Sequence, residues 1–226
     1  MTNVKLHERL LELPLFQGMS RNDIKQVVTS TRFKHISYAE GKVIVSEGDI
    51  CDRLLFLIDG IIDATGRADD NGYSITERLY APGILQPERI FGLTQRFTRT
   101  FMAAGNCRFI SLDKIDALAL ADSYEIFRLN LLNIICTKSQ RLTRYPWRIQ
   151  PKDIRSKIVR FIEARSLRPA GEKTMTITME RLGLELGESR LNVSRELNAM
   201  DNEGAISLRR GRIHIAALER LINTTT

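Results

Sequence analysis

The stretch Thr178-Met-Glu-Arg-Leu-Gly-Leu-Glu-Leu-Gly187-Glu-Ser189-Arg-Leu-Asn-Val-Ser-Arg195-Glu-Leu-Asn-Ala-Met200 decides the reading of this 226-residue chain. Thr178 has the side chain to cap a first helix whose Leu182 and Leu186 face inward. Gly187 is free to adopt φ > 0, which ends that helix in a tight turn. Ser189 then caps a second helix, its hydroxyl accepting a free N–H of the first turn. At 100° per residue, Val193, Leu197 and Met200 share one buried face. The opposite face carries Leu191, Arg195 and Asn198, flanked by Asn192 and Ser194, with Arg190 in the first turn. Two capped helices around a glycine turn make a helix-turn-helix. The second helix suits the major groove, where Arg grips guanine O6/N7 and Asn pairs with adenine.

Downstream, Ile206-Ser-Leu-Arg209-Arg210-Gly211-Arg212-Ile-His-Ile215 alternates apolar residues around a basic turn, the pattern of a hairpin wing. Its three arginines suit phosphates, which supply affinity and salt dependence but no sequence information. Upstream, Ile154, Ile158, Phe161 and Ile162 share a helical face, and a last helix starts near 216. The charge count agrees. Residues 1–137 hold 16 Lys+Arg and 17 Asp+Glu, whereas residues 138–226 hold 18 and 10. The chain's net +7 therefore belongs to its last 89 residues, a near-neutral module being joined to one that meets a polyanion. Arg148, Lys152 and Arg155 are weaker candidates for the same role, or ordinary solvated residues.

Further towards the N-terminus, Ser20 and Asp23 form a near capping box for a helix at about 20–31. Short β-rich runs follow at 33–38, 42–46, 54–58, 61–65, 73–80, 89–93, 99–104 and 107–112, separated by Gly, Pro, Asn and Asp turns. Such spacing predicts a sandwich or barrel with a ligand pocket in its interior or mouth. Residues 115–145 read as one long helix. Tyr124, Phe127, Leu131, Ile134, Lys138 and Leu142 recur at three and four, close to a dimer seam, though a helix packed on its own barrel gives a compatible pattern. Pro146 and Pro151 bracket a hinge.

Composition excludes other classes. The 43% hydrophobic and 27% charged content is globular. No apolar run reaches the ~18 residues of a membrane span. The charged N-terminus does not read as a signal peptide, and three scattered cysteines suit a reducing cytoplasm. No nucleophile, metal or phosphate-loop pattern suggests an enzyme. His7, His35 and His214 show no spacing for a heme, and four clustered cysteines for an iron–sulfur centre are lacking.

With these residues in view, the chain resembles the Crp/Fnr family of bacterial transcription regulators over nearly its whole length. Leu-Pro-Leu-Phe16, Gly41-Lys-Val-Ile-Val-Ser-Glu-Gly48-Asp49, Leu55-Phe-Leu-Ile-Asp-Gly60, Pro82-Gly83 and Phe91-Gly92 match its sensor pattern, and Ile177 to Ile206 its helix-turn-helix. The implied architecture is α+β. A cyclic-nucleotide-binding-like antiparallel β-barrel of jelly-roll or cupin type spans 1–114. A dimerisation helix and hinge follow at 115–147, then a winged helix-turn-helix at 148–226. The resemblance implies a homodimer on pseudo-palindromic double-stranded DNA with half-sites about 34 Å apart, and RNA polymerase as a further partner. The rival reading is a small-molecule-binding signalling module whose basic domain makes protein contacts.

Two departures from the family pattern stand out. Cyclic-nucleotide-binding members carry Glu directly after Phe-Gly, where it accepts from the ribose; here Leu93 follows Phe91-Gly92. The next stretch offers Arg96 and Arg99-Thr100 without clear register, either as holders of another anion or as outer-face residues. A Thr–Ser pair on the central helix aligns at Leu142-Thr143, leaving one hydroxyl. The expected effector is therefore an unknown small molecule and not cyclic AMP in the usual way, and a ligand-independent dimer is a variant of this reading. Leu191 occupies the position where family members carry a base-reading Glu, so it either meets a thymine methyl or only touches sugar or a neighbouring side chain.

Overall fold

The computed structural model describes residues 3–224. It contains eight α-helices and eleven strands among those residues, divided between two compact units. One unit holds the chain up to Ile62 and again from Tyr80 to Pro146; the other holds Asp63–Leu79 and the chain from Trp147 on.

The first unit opens with α1 (Asn3–Glu12), a helix the sequence patterns did not suggest, and α2 (Arg21–Ser30). Ser20 caps α2 reciprocally: its Oγ accepts from the Asp23 N–H at 3.1 Å and donates to the Asp23 carboxylate at 2.7 Å. One antiparallel sheet runs β1 (Lys34–Tyr38), β8 (Cys107–Asp113), β3 (Arg53–Asp59) and β6 (Gly83–Ile84), while β2 (Val43–Val45) pairs with β7 (Thr100–Ala103). The strands do not close on themselves, so the expected barrel is an open, jelly-roll-like arrangement of sheets. The core is aromatic. Phe16 meets Phe56 at 5.7 Å and Phe127 at 5.2 Å between ring centroids, in tilted and edge-on geometries.

Two sequence readings change here. The run at 89–93 is not a strand: Pro87–Arg89 forms a 3-10 turn and the following residues bend. Pro at the first position of the turn fixes φ and lacks an N–H for a ladder, which favours the turn. The long helix is two helices, α3 (Lys114–Ser123) and α4 (Glu125–Arg144), broken where Tyr124 is extended at φ −127°, ψ 106°.

The second unit contains the hairpin β4 (Ile61–Arg67) and β5 (Ser74–Tyr80), the unit taking this hairpin from Asp63 to Leu79. It then comprises α5 (Ile154–Arg165), β9 (Lys173–Thr176), α6 (Met179–Leu186), α7 (Arg190–Asn202), β10 (Ser207–Arg209), β11 (Arg212–Ile215) and α8 (Leu218–Thr224). Its strands run in the order β10-β11-β9-β5-β4, so the hairpin extends the wing sheet. Alternation sets the two faces. Ile75, Met175, Ile213 and Ile215 point into a core with Ile158, Phe161, Leu182, Val193 and Leu197. The antiparallel pairing of Ile75 with Met175 and of Glu77 with Lys173 fixes the register of β5 on β9.

Candidate nucleic-acid interface

The helix-turn-helix forms through the caps its sequence provides. Thr178 Oγ1 accepts from the Arg181 N–H at 3.1 Å, and Ser189 Oγ accepts from the Asn192 N–H at 3.1 Å. Between them Gly187 adopts φ 67°, ψ 35°, closing α6 in the left-handed conformation that glycine takes without strain. The Glu188 N–H then donates to the Gly183 carbonyl at 2.9 Å.

A second glycine matters here for a different reason. A Cβ at Gly183 would lie 2.8 Å from the Glu188 carbonyl oxygen, so α6 and the turn approach too closely for any larger residue. Only tertiary proximity marks Gly183; its sequence context is an ordinary helical leucine pattern. We expect Gly183→Ala to destabilise the unit by about 1–3 kcal/mol through overpacking against backbone. The measurement is thermal melting of the variant beside the parent, and an unchanged midpoint would contradict this packing.

In α7, Val193, Leu197 and Met200 are buried, which turns the opposite face outward. Arg190, Arg195 and Asn198 are exposed, and Leu191 is 67% exposed at the centre of that face. Arg195 has no carboxylate partner among the described residues, whereas Arg190 lies 3.8 Å from Glu180 with both side chains largely in solvent. Ser194 and Asn192 are half-buried flanks. The Asn198 amide donates to the Ser194 carbonyl at 2.7 Å, so one of its two N–H groups is already engaged within the helix.

α7 also carries acids, and α5 neutralises them. The Arg155 guanidinium donates to Glu196 at 2.7 Å and to both oxygens of Glu203 at 2.8 Å. These hydrogen bonds hold the Glu203 carboxyl below its ordinary pKa and raise that of Arg155. Arg148 pairs with Glu163 at 2.8 Å. Arg148 and Arg155 therefore brace the fold, while Lys152 stays exposed.

The wing is the pair β10–β11, with Arg209 opposite Arg212 and Gly211 at φ 70° in the turn. The Ile177 N–H donates to the Gly211 carbonyl at 3.1 Å, tying the wing tip to the residue just before the α6 cap. Arg209, Arg210 and Arg212 are exposed and have no carboxylate within ion-pair distance among the described residues. Arg190 at the start of α7 and the wing residues Arg209, Arg210 and Arg212 line one open depression of this unit.

The sensor residues suggested by sequence are not gathered in this way. Leu93 is fully exposed and points away from the core. Arg96 donates to the Gly48 carbonyl at 2.7 Å, and the Thr100 hydroxyl accepts from the Glu47 N–H at 3.1 Å. Both secure the turn at 46–49, which favours the outer-face reading of Arg96. Phe91 packs under the Lys114 ammonium at 5.2 Å, Gly92 is exposed at φ 92°, and Arg99 is half-buried. Thr143 donates to the Ser139 carbonyl at 3.0 Å within its own helix. Sequence reading missed Gln86, which is buried at φ 35° and exchanges hydrogen bonds with Thr98 at 2.7 and 3.0 Å.

The proposed seam also needs correction. Phe127 and Leu131 are buried in the core of their own unit, and Lys138 pairs with Glu88 on the Pro87–Arg89 turn. Tyr124 and Ile134 are half-buried. Leu142 remains outside at 62% exposure, with Ile126, Leu129 and Leu132 also exposed along α4. Among the described residues no helix is long and apolar enough to cross a membrane, and no three metal-ligating side chains cluster.

Comparison with known proteins places this geometry. Residues 156–224 match the family model described as the Crp-like helix-turn-helix domain. The catabolite activator protein of Thermus thermophilus is 19% identical and covers 94% of this chain and 97% of its own, with a TM-score of 0.50. The sensor domain of the transcriptional regulator DNR from Pseudomonas aeruginosa is 16% identical over 67% of this chain and 98% of its own, with a TM-score of 0.53. A curated relative, the potassium channel SKOR of Arabidopsis thaliana, is 30% identical over 110 residues. That match takes in 46% of this chain and only 12% of the channel. Fold and site define a winged helix-turn-helix of the DNA-binding class in the second unit, and the first unit has the jelly-roll-like fold of the solved sensor domain it resembles. The match makes residues 156–224 a Crp-like helix-turn-helix domain.

Proposed function

We propose that the chain acts as a homodimeric, sequence-specific regulator that places one α7 in each half of a pseudo-palindromic operator. The observation that carries this reading is the exposed row Leu191, Arg195 and Asn198 on α7, in the same unit as three wing arginines that have no ion pair among the described residues. Arg195 is the base-reading cation, Leu191 the apolar contact, and Arg190 together with the wing grips phosphates. Dimerisation uses the outward apolar line Ile126, Leu129, Leu132 and Leu142 of α4, because Phe127 and Leu131 are consumed by the core. RNA polymerase is the partner through which such a dimer acts on transcription.

The sensor elements take an effector other than cyclic AMP in its usual pose. Leu93 carries no acceptor for a ribose hydroxyl, and leaving such a hydroxyl unpaired costs about 1–3 kcal/mol. The effector's role is to favour one dimer-helix arrangement over another by binding the two with different affinity.

Operator selection from a random duplex library tests the reading, run with parent, Arg195→Ala and Leu191→Glu, each with and without cyclic AMP. The parent should enrich a two-fold symmetric sequence independently of cyclic AMP. Arg195→Ala should lose about 1–3 kcal/mol of discrimination at one base pair per half-site, and Leu191→Glu should change the preferred base beneath it. Absence of any enriched sequence from the parent would leave the protein-contact reading of the basic domain. Cyclic AMP that saturates and raises operator affinity would overturn the reading of Leu93.

A further inference from the structure

The hairpin β4–β5 gives the DNA-binding unit a surface that a helix-turn-helix and wing do not account for. Across the wing sheet, Arg209 lies opposite Arg212, Arg212 opposite Thr176, and Thr176 opposite Ser74. The hydroxyls of Thr65 and Thr76 meet at 2.9 Å and the Ala68 N–H donates to the Tyr73 carbonyl at 3.0 Å, which sets Arg67 opposite Ser74. Residues directly opposite on neighbouring strands share a face. Arg209, Arg212, Thr176, Ser74 and Arg67 therefore form one polar row, while Ile213, Met175 and Ile75 occupy the buried face behind it.

Three strand spacings of about 4.8 Å put Arg67 roughly 14 Å from Arg212 along this row. Arg67 is exposed and has no carboxylate partner among the described residues. Of the nearby acids, Asp70 is engaged by Arg181 at 2.8 Å, and Asp69 is exposed at the hairpin tip. Arg67, Ser74, Thr176, Thr178 and Gly211 line one open depression that leads from the hairpin to the wing tip and the α6 cap.

We propose that this row is a second phosphate track, on which Arg67, Ser74 and Thr176 hold the sugar–phosphate backbone of duplex DNA flanking the base pairs read by α7. The inference rests on the DNA-binding reading and extends it to residues outside the helix-turn-helix. An exposed guanidinium and two hydroxyls, on a sheet face that ends in the wing arginines, match a continuous polyanion. Duplex DNA presents about one charge per 1.7 Å of axis, so roughly 14 Å of sheet faces several phosphates. The contact carries no base specificity.

Full-length parent, Arg67→Gln and Arg67→Glu are titrated against a fluorescent duplex of about 30 base pairs, both operator-selected and scrambled, over a range of salt. Losing one phosphate contact lowers the slope of log K against log salt by about 0.9, which is about eight-fold in affinity at 0.1 M salt. Arg67→Gln should show that loss equally on both sequences, Arg67→Glu a larger one, and both should melt with the parent. Parent-like slopes for both variants overturn the track while leaving the α7 reading intact. A parent whose binding shows no salt dependence overturns both.

Discussion

Replacing Lys173 with Met should lower the stability of the DNA-binding unit by about 3–5 kcal/mol, the cost of leaving a buried charge unpaired. Lys173 on β9 and Glu77 on β5 are 1% and 0% exposed, with ammonium and carboxylate 3.0 Å apart. Glu77 also accepts from the Leu167 N–H at 2.5 Å and the Arg168 N–H at 3.2 Å, and Lys173 donates to the Ala170 carbonyl at 2.7 Å. Burial of each ion is tolerated because these contacts replace water. Without the ammonium, the dry carboxylate loses the one opposite charge paired with it on the neighbouring strand. For a unit of this size the loss corresponds to a fall in melting temperature of at least about 12 °C. The double variant Glu77→Gln, Lys173→Met removes both charges and should recover most of the loss, since a neutral amide can still accept from the Leu167 N–H. Differential scanning calorimetry of the three proteins decides the matter. A Lys173→Met protein that melts within a degree or two of the parent would show that the pair does not seat the hairpin on the sheet.

The wing carries the second large effect. Changing Arg209, Arg210 and Arg212 together to Gln should reduce the salt slope of DNA binding by about 2.7, three contacts at about 0.9 each. The preferred sequence should not change, because phosphate contacts position a protein without reading bases. Arg195→Ala has the complementary signature of relaxed preference at one base pair. A wing variant that keeps the parent slope but alters the selected sequence would exchange the roles assigned to wing and helix. These arginines are exposed and form no ion pairs among the described residues, so the variant should fold normally.

Legibility from sequence followed the range of the interactions. The caps at Ser20, Thr178 and Ser189 act on N–H groups three residues away, so residue type and spacing were enough to place them. The turn at Gly187 and the alternating wing are equally local. The strand reading at 89–93 failed because Pro87 fixes a turn just ahead of it, and the helix reading at 115–145 ran through the extended Tyr124. The candidate interface was legible except where a residue's role lies in another element. Arg155 looked like a free basic residue until α7 supplied Glu196 and Glu203. Gly183 looked like any helix position until the turn came within 2.8 Å of its missing Cβ. Leu93 lacked the expected carboxylate in the sequence, and the fold adds that it faces solvent.

The sequence by itself determined the second helix of the helix-turn-helix, its caps, its exposed face and the concentration of positive charge in the last 89 residues. Each depends on neighbours within a turn or two of chain, or on counting. Tertiary structure alone decided which face of α4 is spent on the core, with Phe127 and Leu131 inside and Ile126, Leu129 and Leu132 outside. It also decided that Asp63–Leu79 joins the wing sheet, a pairing between strands almost 100 residues apart. A strand alternates its faces wherever it lies, so its own sequence does not name its partner. That choice is made by the buried Glu77–Lys173 pair and the apolar surface beneath it.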